Sequence, residues 1–163
     1  AHEKCEINPN GYQWFDLSKE NEEYILDQSL KAEKKLKEFI DQVKTVYRLG
    51  NSKICLSGFS QGCMLAINIG LIENEPFSCV VGFSGKIINK NNLASRIISK
   101  TKFLLLHGDM DQVVSPSNLL EAKDFLERNK IEVETNMLQN CEHHISTEAS
   151  SFALKYIKKN LGY

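Results

Sequence analysis

The stretch KICLSGFSQGCMLAINIGL, residues 53–71, decides how the chain around it folds. An apolar run typical of a β-strand gives way to a run typical of a buried helix, and Ser60 stands at the junction between Gly58 and Gly62. This G-x-S-x-G pattern, with a strand before it and a helix after it, predicts a tight turn that exposes the serine hydroxyl at the strand's carboxyl end. We expect side chains at both flanking positions to collide with the neighbouring chain, so that glycine is needed at each.

Apolar segments of both kinds alternate along the chain on either side of this junction. Residues 1–21 are expected to form a loop, and apolar positions every three or four residues predict a helix over 22–47, closed by Gly50. Three further apolar strands, each followed by a helix, are predicted around residues 77–85, 102–108 and 130–138. Such strands indicate a mostly parallel sheet covered by helices on both faces, and the last, alternating strand is expected nearer an edge. We interpret residues 1–163 as one α/β domain.

Composition excludes several classes of protein. The formal net charge is -1, so no whole-chain field favours nucleic acid or an anionic membrane. No apolar run approaches the ~20 residues of a membrane-spanning helix, and the first residues lack the apolar core of a signal peptide. Five scattered cysteines without a C-x-x-C pair indicate reduced, core-type thiols rather than a zinc site. We therefore expect a cytoplasmic protein that binds no nucleic acid, does not insert stably into membranes and uses no metal or cofactor.

A serine nucleophile needs a base and an acid, which in this kind of sheet follow it in the order acid, then histidine. Two aspartates, Asp109 and Asp111, come directly after the third apolar strand. Two histidines, His143 and His144, come after the fourth strand. The residues alone leave both choices open. Two further residues are expected to be structural: Ser84, which lacks the second glycine, and His107, at a strand end.

Three motifs, GFSQG, HGDMDQVV and HHIS, together resemble the carboxylesterase/phospholipase branch of the α/β-hydrolases, which includes the acyl-protein thioesterases. The WFDL segment at residues 14–17 is similar to a loop of that family. The resemblance runs over nearly the whole chain. It implies a Ser60 nucleophile, a His143 base, an Asp111 acid and an oxyanion donor at the Gln61 backbone N–H. It also implies substrate-binding roles for two residues, Trp14 and Phe59.

The chain departs from the family pattern at several places. Cys63 and Glu142 stand where relatives usually have glycine. The family begins with about four further strands and an HG-x-G loop that supplies a second oxyanion N–H, and nothing similar precedes Trp14. We therefore expect an amino-terminally truncated domain, with a partial sheet of about four strands. The strand that leads to Ser60 would then have an unpaired edge, and a homodimer through that edge is predicted.

Two functions follow as expectations. The first is a serine hydrolase that cleaves small carboxylic esters or thioesters through a Ser-Asp-His triad and an acyl-enzyme. The alternative is a catalytically impaired or inactive remnant that acts only as a self-associating α/β domain. A dienelactone-hydrolase-like enzyme would require a cysteine nucleophile, which Ser60 argues against. Phosphate or nucleotide binding lacks a glycine pattern to support it.

Overall fold

The structure is a computed structural model that describes residues 3–5, 10–19 and 21–163. This part of the chain contains six strands and five α-helices, with one short 3₁₀ turn before β3, and strands and helices alternate from α1 onward. In chain order they are β1 (Glu3–Lys4), β2 (Tyr12–Gln13), α1 (Glu22–Tyr47), β3 (Cys55–Phe59), α2 (Gln61–Ile72), β4 (Cys79–Phe83), α3 (Lys90–Arg96), β5 (Phe103–Gly108), α4 (Ser117–Arg128), β6 (Val133–Leu138) and α5 (Thr147–Leu161).

The central sheet has the order β3-β4-β5-β6, and all three strand pairs are parallel. Cys55 pairs with Cys79 and Gly58 with Gly82, so β3 and β4 run side by side up to the point where each reaches its carboxyl end. Strands β4 and β5 are buried along their whole length, which explains their continuous apolar sequences. The predicted four-strand parallel sheet is confirmed, and β6 lies at an edge as its alternating sequence indicates.

Helices cover both faces of this sheet, as predicted. On one face α2, α3 and α4 pack against residues that include Val80 and Leu105. On the other face α5 packs against the neighbouring residues of the same strands, Val81 and Leu104. Adjacent residues of a strand point to opposite faces, so each strand contributes to two apolar cores. The carboxyl ends of the four strands are left free of helix and form the edge where the polar residues gather.

Two expectations about the first third of the chain are wrong. Helix α1 has the predicted bounds, but the residue that caps it is Arg48, in the left-handed conformation with φ 54°, and Gly50 instead precedes the 3₁₀ turn. The expected amino-terminal loop contains a two-stranded antiparallel ribbon in which Glu3 pairs with Gln13. Strands of two residues are too short to produce a periodic sequence signal. Residues 8 and 9 of the predicted NPNG turn lie outside the described residues.

Strand β3 forms the second edge of the sheet and has no further partner strand among the described residues. A groove of about 420 Å³ follows this edge, and α1 provides one wall through residues such as Phe39 and Ile40. No helix in the described part of the chain is both long and apolar enough to cross a membrane.

Candidate active site

Ser60 occupies the turn between β3 and α2 in a strained backbone conformation, with φ 52° and ψ -119°. A non-glycine residue at positive φ is uncommon, and such strain persists only where the surroundings hold it. Here the Ser60 N–H donates to the Phe83 carbonyl at 2.9 Å, and the Ser60 carbonyl accepts from the Met64 N–H at 3.1 Å. The turn is therefore bonded both to the next strand and to the helix that follows it.

The two glycines that flank this turn are not equivalent. A Cβ added at Gly58 would overlap the Gly62 carbonyl oxygen and approach the Cys63 backbone nitrogen to 2.6 Å. A Cβ added at Gly62 would meet only Trp14 Nε1, at an ordinary contact distance of 3.7 Å. The prediction that glycine is required at both positions is therefore wrong for Gly62. Backbone crowding demands glycine only on the strand side of the serine.

Three side chains from separate loops form a continuous chain of hydrogen bonds. His143 Nε2 lies 3.1 Å from Ser60 Oγ, and His143 Nδ1 lies 2.7 Å from Asp111 Oδ2. The loops after β3, β5 and β6 bring them together because the carboxyl ends of parallel strands meet at one edge of the sheet. In this arrangement the imidazole can accept the serine proton at one nitrogen while the carboxylate fixes the hydrogen on the other.

The Asp111 carboxylate is buried and fully engaged by hydrogen-bond donors. Its Oδ1 accepts from the backbone N–H groups of Val113 and Val114, both at 2.9 Å, while Oδ2 accepts from His143. Burial acts to raise the pKa of Asp111, but the bonds from His143 and the two amides outweigh it and hold that pKa below its usual value. The aspartate is therefore ionised at neutral pH and can stabilise a positive charge on the imidazole.

The other candidates from the sequence lie in different surroundings. Asp109 Oδ1 accepts from the Cys141 N–H at 3.2 Å, which ties two loops together. His144 is exposed, and its Nε2 lies 3.9 Å from the Cys141 sulfur. Ser84 is buried, and its N–H donates to the Leu106 carbonyl. The structure thus brings Asp111 and His143 to Ser60 and leaves these three residues in loop and strand contacts.

Gln61 has a structural contact that sequence reasoning missed. Its Oε1 accepts from the Trp14 N–H at 2.9 Å, and its Nε2 donates to the Phe15 carbonyl at 3.0 Å. The side chain therefore fastens the WFDL loop to the first turn of α2. Within that loop Asp16 accepts from the Ser18 hydroxyl at 2.6 Å, and the pKa of Asp16 is lowered first of all by this bond. No local sequence signal marks the Gln61 contact, because its partners are 46 and 47 residues away.

The backbone N–H of Gln61 is the first amide of α2. Early amides of a helix have no carbonyl partner one turn back, and they lie at the positive end of the helix dipole. The Ser60 side chain makes no capping bond to them. An oxygen that develops negative charge beside Ser60 can therefore be met by this end of the helix.

A groove of about 480 Å³ opens beside Ser60. Its walls are mostly aromatic and aliphatic, and Trp14 and Phe59 both belong to them. The Phe59 ring also packs on the His143 ring, with 4.7 Å between the ring centroids. Among the described residues, the lining consists of Cys5, Tyr12, Gln13, Trp14, Leu17, Phe59, Ser60, Gln61, Gly62, Met64, Lys86, Val113 and Val114.

Comparison with known proteins identifies the family of the chain. Residues 1–161 match the model of the phospholipase/carboxylesterase family. The chain belongs to the phospholipase/carboxylesterase family. Its recognition as an α/β-hydrolase of this branch is therefore confirmed.

The chain is 25% identical over 154 residues to esterase YpfH of Escherichia coli (strain K12), which covers 93% of this chain and 64% of that relative. It is 24% identical over 160 residues to acyl-protein thioesterase 1 of Yarrowia lipolytica, which covers 91% of this chain and 68% of the relative. The chain thus spans about two thirds of the length of these curated relatives.

Solved structures share the fold. The crystal structure of esterase PE8 superposes with a TM-score of 0.90 at 32% identity, covering 97% of this chain and 74% of that chain. The crystal structure of Arabidopsis thaliana SOBER1 gives a TM-score of 0.82 at 23% identity, covering 91% of this chain and 74% of that chain, and supports the fold.

One departure from the family pattern has a packing explanation. Burial of Cys63 raises the pKa of its thiol to about 12. A Cβ added at Gly82 or Gly85 would overlap the Cys63 sulfur, so this side chain fills the space that those glycines leave. A buried thiol with a raised pKa is a poor nucleophile, although it follows Ser60 by only three residues.

Proposed function

We propose that this member of the phospholipase/carboxylesterase family is a serine hydrolase of carboxylic esters or thioesters. The observation that carries the proposal is the hydrogen-bonded series Ser60 Oγ, His143 Nε2, His143 Nδ1 and Asp111 Oδ2, with distances of 3.1 and 2.7 Å. The relatives named esterase and acyl-protein thioesterase support the same class of reaction. The apolar groove beside Ser60 suits an acyl chain, and Trp14 and Phe59 would contact it.

The reaction proceeds in two steps. Ser60 Oγ attacks the substrate carbonyl carbon as His143 Nε2 removes the hydroxyl proton, and the carbonyl oxygen becomes an oxyanion that faces the Gln61 N–H. The tetrahedral intermediate collapses, the bond to the alcohol or thiol breaks, and His143 returns the proton to the leaving group. Water, deprotonated by His143, then attacks the acyl-Ser60 carbonyl carbon. The bond to Ser60 Oγ breaks, His143 returns the proton to Oγ, and the carboxylic acid is released. Asp111 holds the imidazole in the productive tautomer throughout.

The test combines covalent labelling with turnover. A fluorophosphonate should add once to the intact protein, as measured by mass, and the adduct should be absent from Ser60→Ala. Ser84→Ala is the matched control, because Ser84 is a buried serine after the neighbouring strand, and it should label like the wild type. Hydrolysis of para-nitrophenyl butyrate should fall by at least about 10³-fold in Ser60→Ala. A folded wild-type protein, by circular dichroism, that takes no label would support the inactive remnant and overturn the proposal.

A homodimer through the β3 edge stays a prediction. Strand β3 has unused backbone donors and acceptors along the groove beside α1, and exposed strand edges favour pairing with another chain. Sedimentation equilibrium across the micromolar range should show a dimer. A monomer at every concentration would contradict this part of the proposal without affecting the proposed chemistry.

A further inference from the structure

Lys86 is the one charged residue among the described residues that line the groove beside Ser60. The remaining groove residues are aromatic, aliphatic, or polar without charge. Lys86 also lines a second groove of about 530 Å³, whose other walls include Glu22, Glu23 and Asn118. The side chain therefore stands at the boundary between the candidate active site and the neighbouring depression.

The backbone around Lys86 is held firmly against the serine turn. The Phe83 carbonyl accepts from the Ser60 N–H at 2.9 Å, and a Cβ added at Gly85 would approach the Ser60 carbonyl oxygen to 3.3 Å. On the other side of Lys86, Ile87 is buried at 7% exposure. With both neighbours packed, the lysine extends from a fixed point beside the candidate nucleophile.

The ammonium of Lys86 has no carboxylate within ion-pairing distance in the described part of the chain. Lys90, four residues further on, pairs with Glu121 at 2.6 Å, and many other described lysines are paired in the same way. Glu22 and Glu23 share the second groove with Lys86 but make no ion pair with it, and both are exposed to solvent. Lys86 is half buried, so a substrate that fills the groove would remove water from a cation that has no counter-ion among the described residues.

We propose that Lys86 binds a carboxylate carried by the substrate, several bonds from the scissile carbonyl. This inference rests on the proposed hydrolase function and names its substrate class: an ester or thioester with an anionic group. A neutral substrate leaves the desolvated ammonium unpaired, whereas a carboxylate restores the lost interaction and adds a charge-assisted hydrogen bond. A single lysine matches a singly charged carboxylate; a phosphate dianion is usually held by several donors or by an arginine fork.

The experiment compares two matched ester pairs. Mono-para-nitrophenyl adipate against its methyl ester places the charge on the acyl side, and para-acetoxybenzoate against its methyl ester places the charge on the leaving group. For one of these pairs the ratio of kcat/KM values, anionic over neutral, should fall about tenfold in Lys86→Met. Methionine keeps the unbranched apolar stem and removes the charge. Lys86→Arg should retain most of the preference, and Lys90→Met, the matched control, should leave the ratio unchanged.

A binding measurement separates this inference from the proposed function. Trp14 is the sole tryptophan of the chain and lines the groove, so its fluorescence reports occupancy. In Ser60→Ala, the anionic member of one of the two pairs, mono-para-nitrophenyl adipate or para-acetoxybenzoate, should quench Trp14 with a dissociation constant about tenfold lower than that of its methyl ester, and the added Lys86→Met change should abolish the difference. This result would support the carboxylate site even if the wild type were inactive. Equal binding of the anionic and the methyl ester in both pairs would overturn it, as would anionic-over-neutral kcat/KM ratios that Lys86→Met leaves unchanged in both pairs.

Discussion

The buried imidazole of His107 lies against the carboxylate of Asp111, with 3.3 Å between Nε2 and Oδ2. The same nitrogen is 2.9 Å from the Val114 carbonyl. A carbonyl can only accept, so Nε2 carries the hydrogen and faces the oxygen that also accepts from His143. His107 on β5 therefore fixes the Val114 carbonyl, while the amides of Val113 and Val114 hold the Asp111 carboxylate.

His107→Leu should weaken catalysis without removing it. The Val114 carbonyl would lose its partner and the loop that carries Asp111 would become less rigid, so we expect roughly a tenfold fall in kcat for para-nitrophenyl butyrate with little change in KM. His107→Gln can still donate one hydrogen bond and should recover part of the loss. Equal activity of the leucine variant and the wild type would show that the backbone amides alone position Asp111.

Gly58→Ala and Gly62→Ala form a matched pair around Ser60. The first places a methyl group against the Gly62 carbonyl oxygen and should lower the free energy of unfolding by about 1–3 kcal/mol and abolish fluorophosphonate labelling. The second brings a methyl group only to an ordinary contact distance from Trp14 Nε1 and lies in a helix, where alanine is favoured over glycine by about 1 kcal/mol. Urea unfolding and labelling of both variants check this. Equal damage from the two substitutions would contradict the asymmetry of the turn.

Gln61→Ala should loosen the loop that carries Trp14. Both side-chain bonds of Gln61 disappear, while its backbone N–H stays at the start of α2. Since Trp14 belongs to the groove wall, we expect KM for para-nitrophenyl butyrate to rise severalfold with a smaller change in kcat. Acrylamide quenching of Trp14 should increase in the same variant. A fall in kcat alone, with unchanged quenching, would place the effect on the proposed oxyanion donor, the Gln61 backbone N–H, instead.

The ionised Asp111 should stabilise the fold in a pH-dependent way. Its folded-state pKa is below the ordinary value of about 3.9, so the unfolded chain takes up the proton first as the pH falls. The stabilisation is therefore complete at neutral pH and is lost as the pH falls through the folded-state pKa. Asp111→Asn cannot titrate, so the difference in unfolding free energy between wild type and variant should be about 1–3 kcal/mol at pH 6 and should shrink toward pH 3. Urea unfolding at several pH values measures this difference, and a constant difference would contradict it.

Much of the fold was predictable because its signals are local. The 3.6-residue periodicity set the bounds of α1, and continuous apolar runs indicated the buried strands β4 and β5. The residue that caps α1 was not predictable in the same way. Arg48 adopts a left-handed conformation that sequence statistics assign to glycine, and Gly50 nearby offered the stronger but misleading signal.

Some residues of the candidate site likewise have a local sequence signal, and others do not. Ser60 is recognisable because the strand, the turn and the helix around it occupy consecutive residues. The contacts of Gln61 with the Trp14 loop, and of His107 with Asp111, depend on where loops and side chains meet in space, and no local pattern reports that meeting. No local pattern distinguishes Lys86 from an ordinary surface lysine either; only the fold shows that it lines the groove beside Ser60.

The sequence by itself determined the order of strands and helices and the position of the serine turn, because backbone preferences and apolar periodicity act between near neighbours. Only the tertiary structure decided which acid reaches His143 on geometric grounds. Asp109 and Asp111 are two residues apart, yet Asp109 turns to the Cys141 N–H while Asp111 turns to the imidazole. Packing of the loops after β5 and β6 makes that choice. The need for glycine at Gly58 arises within the serine turn, from the Gly62 carbonyl and the Cys63 nitrogen.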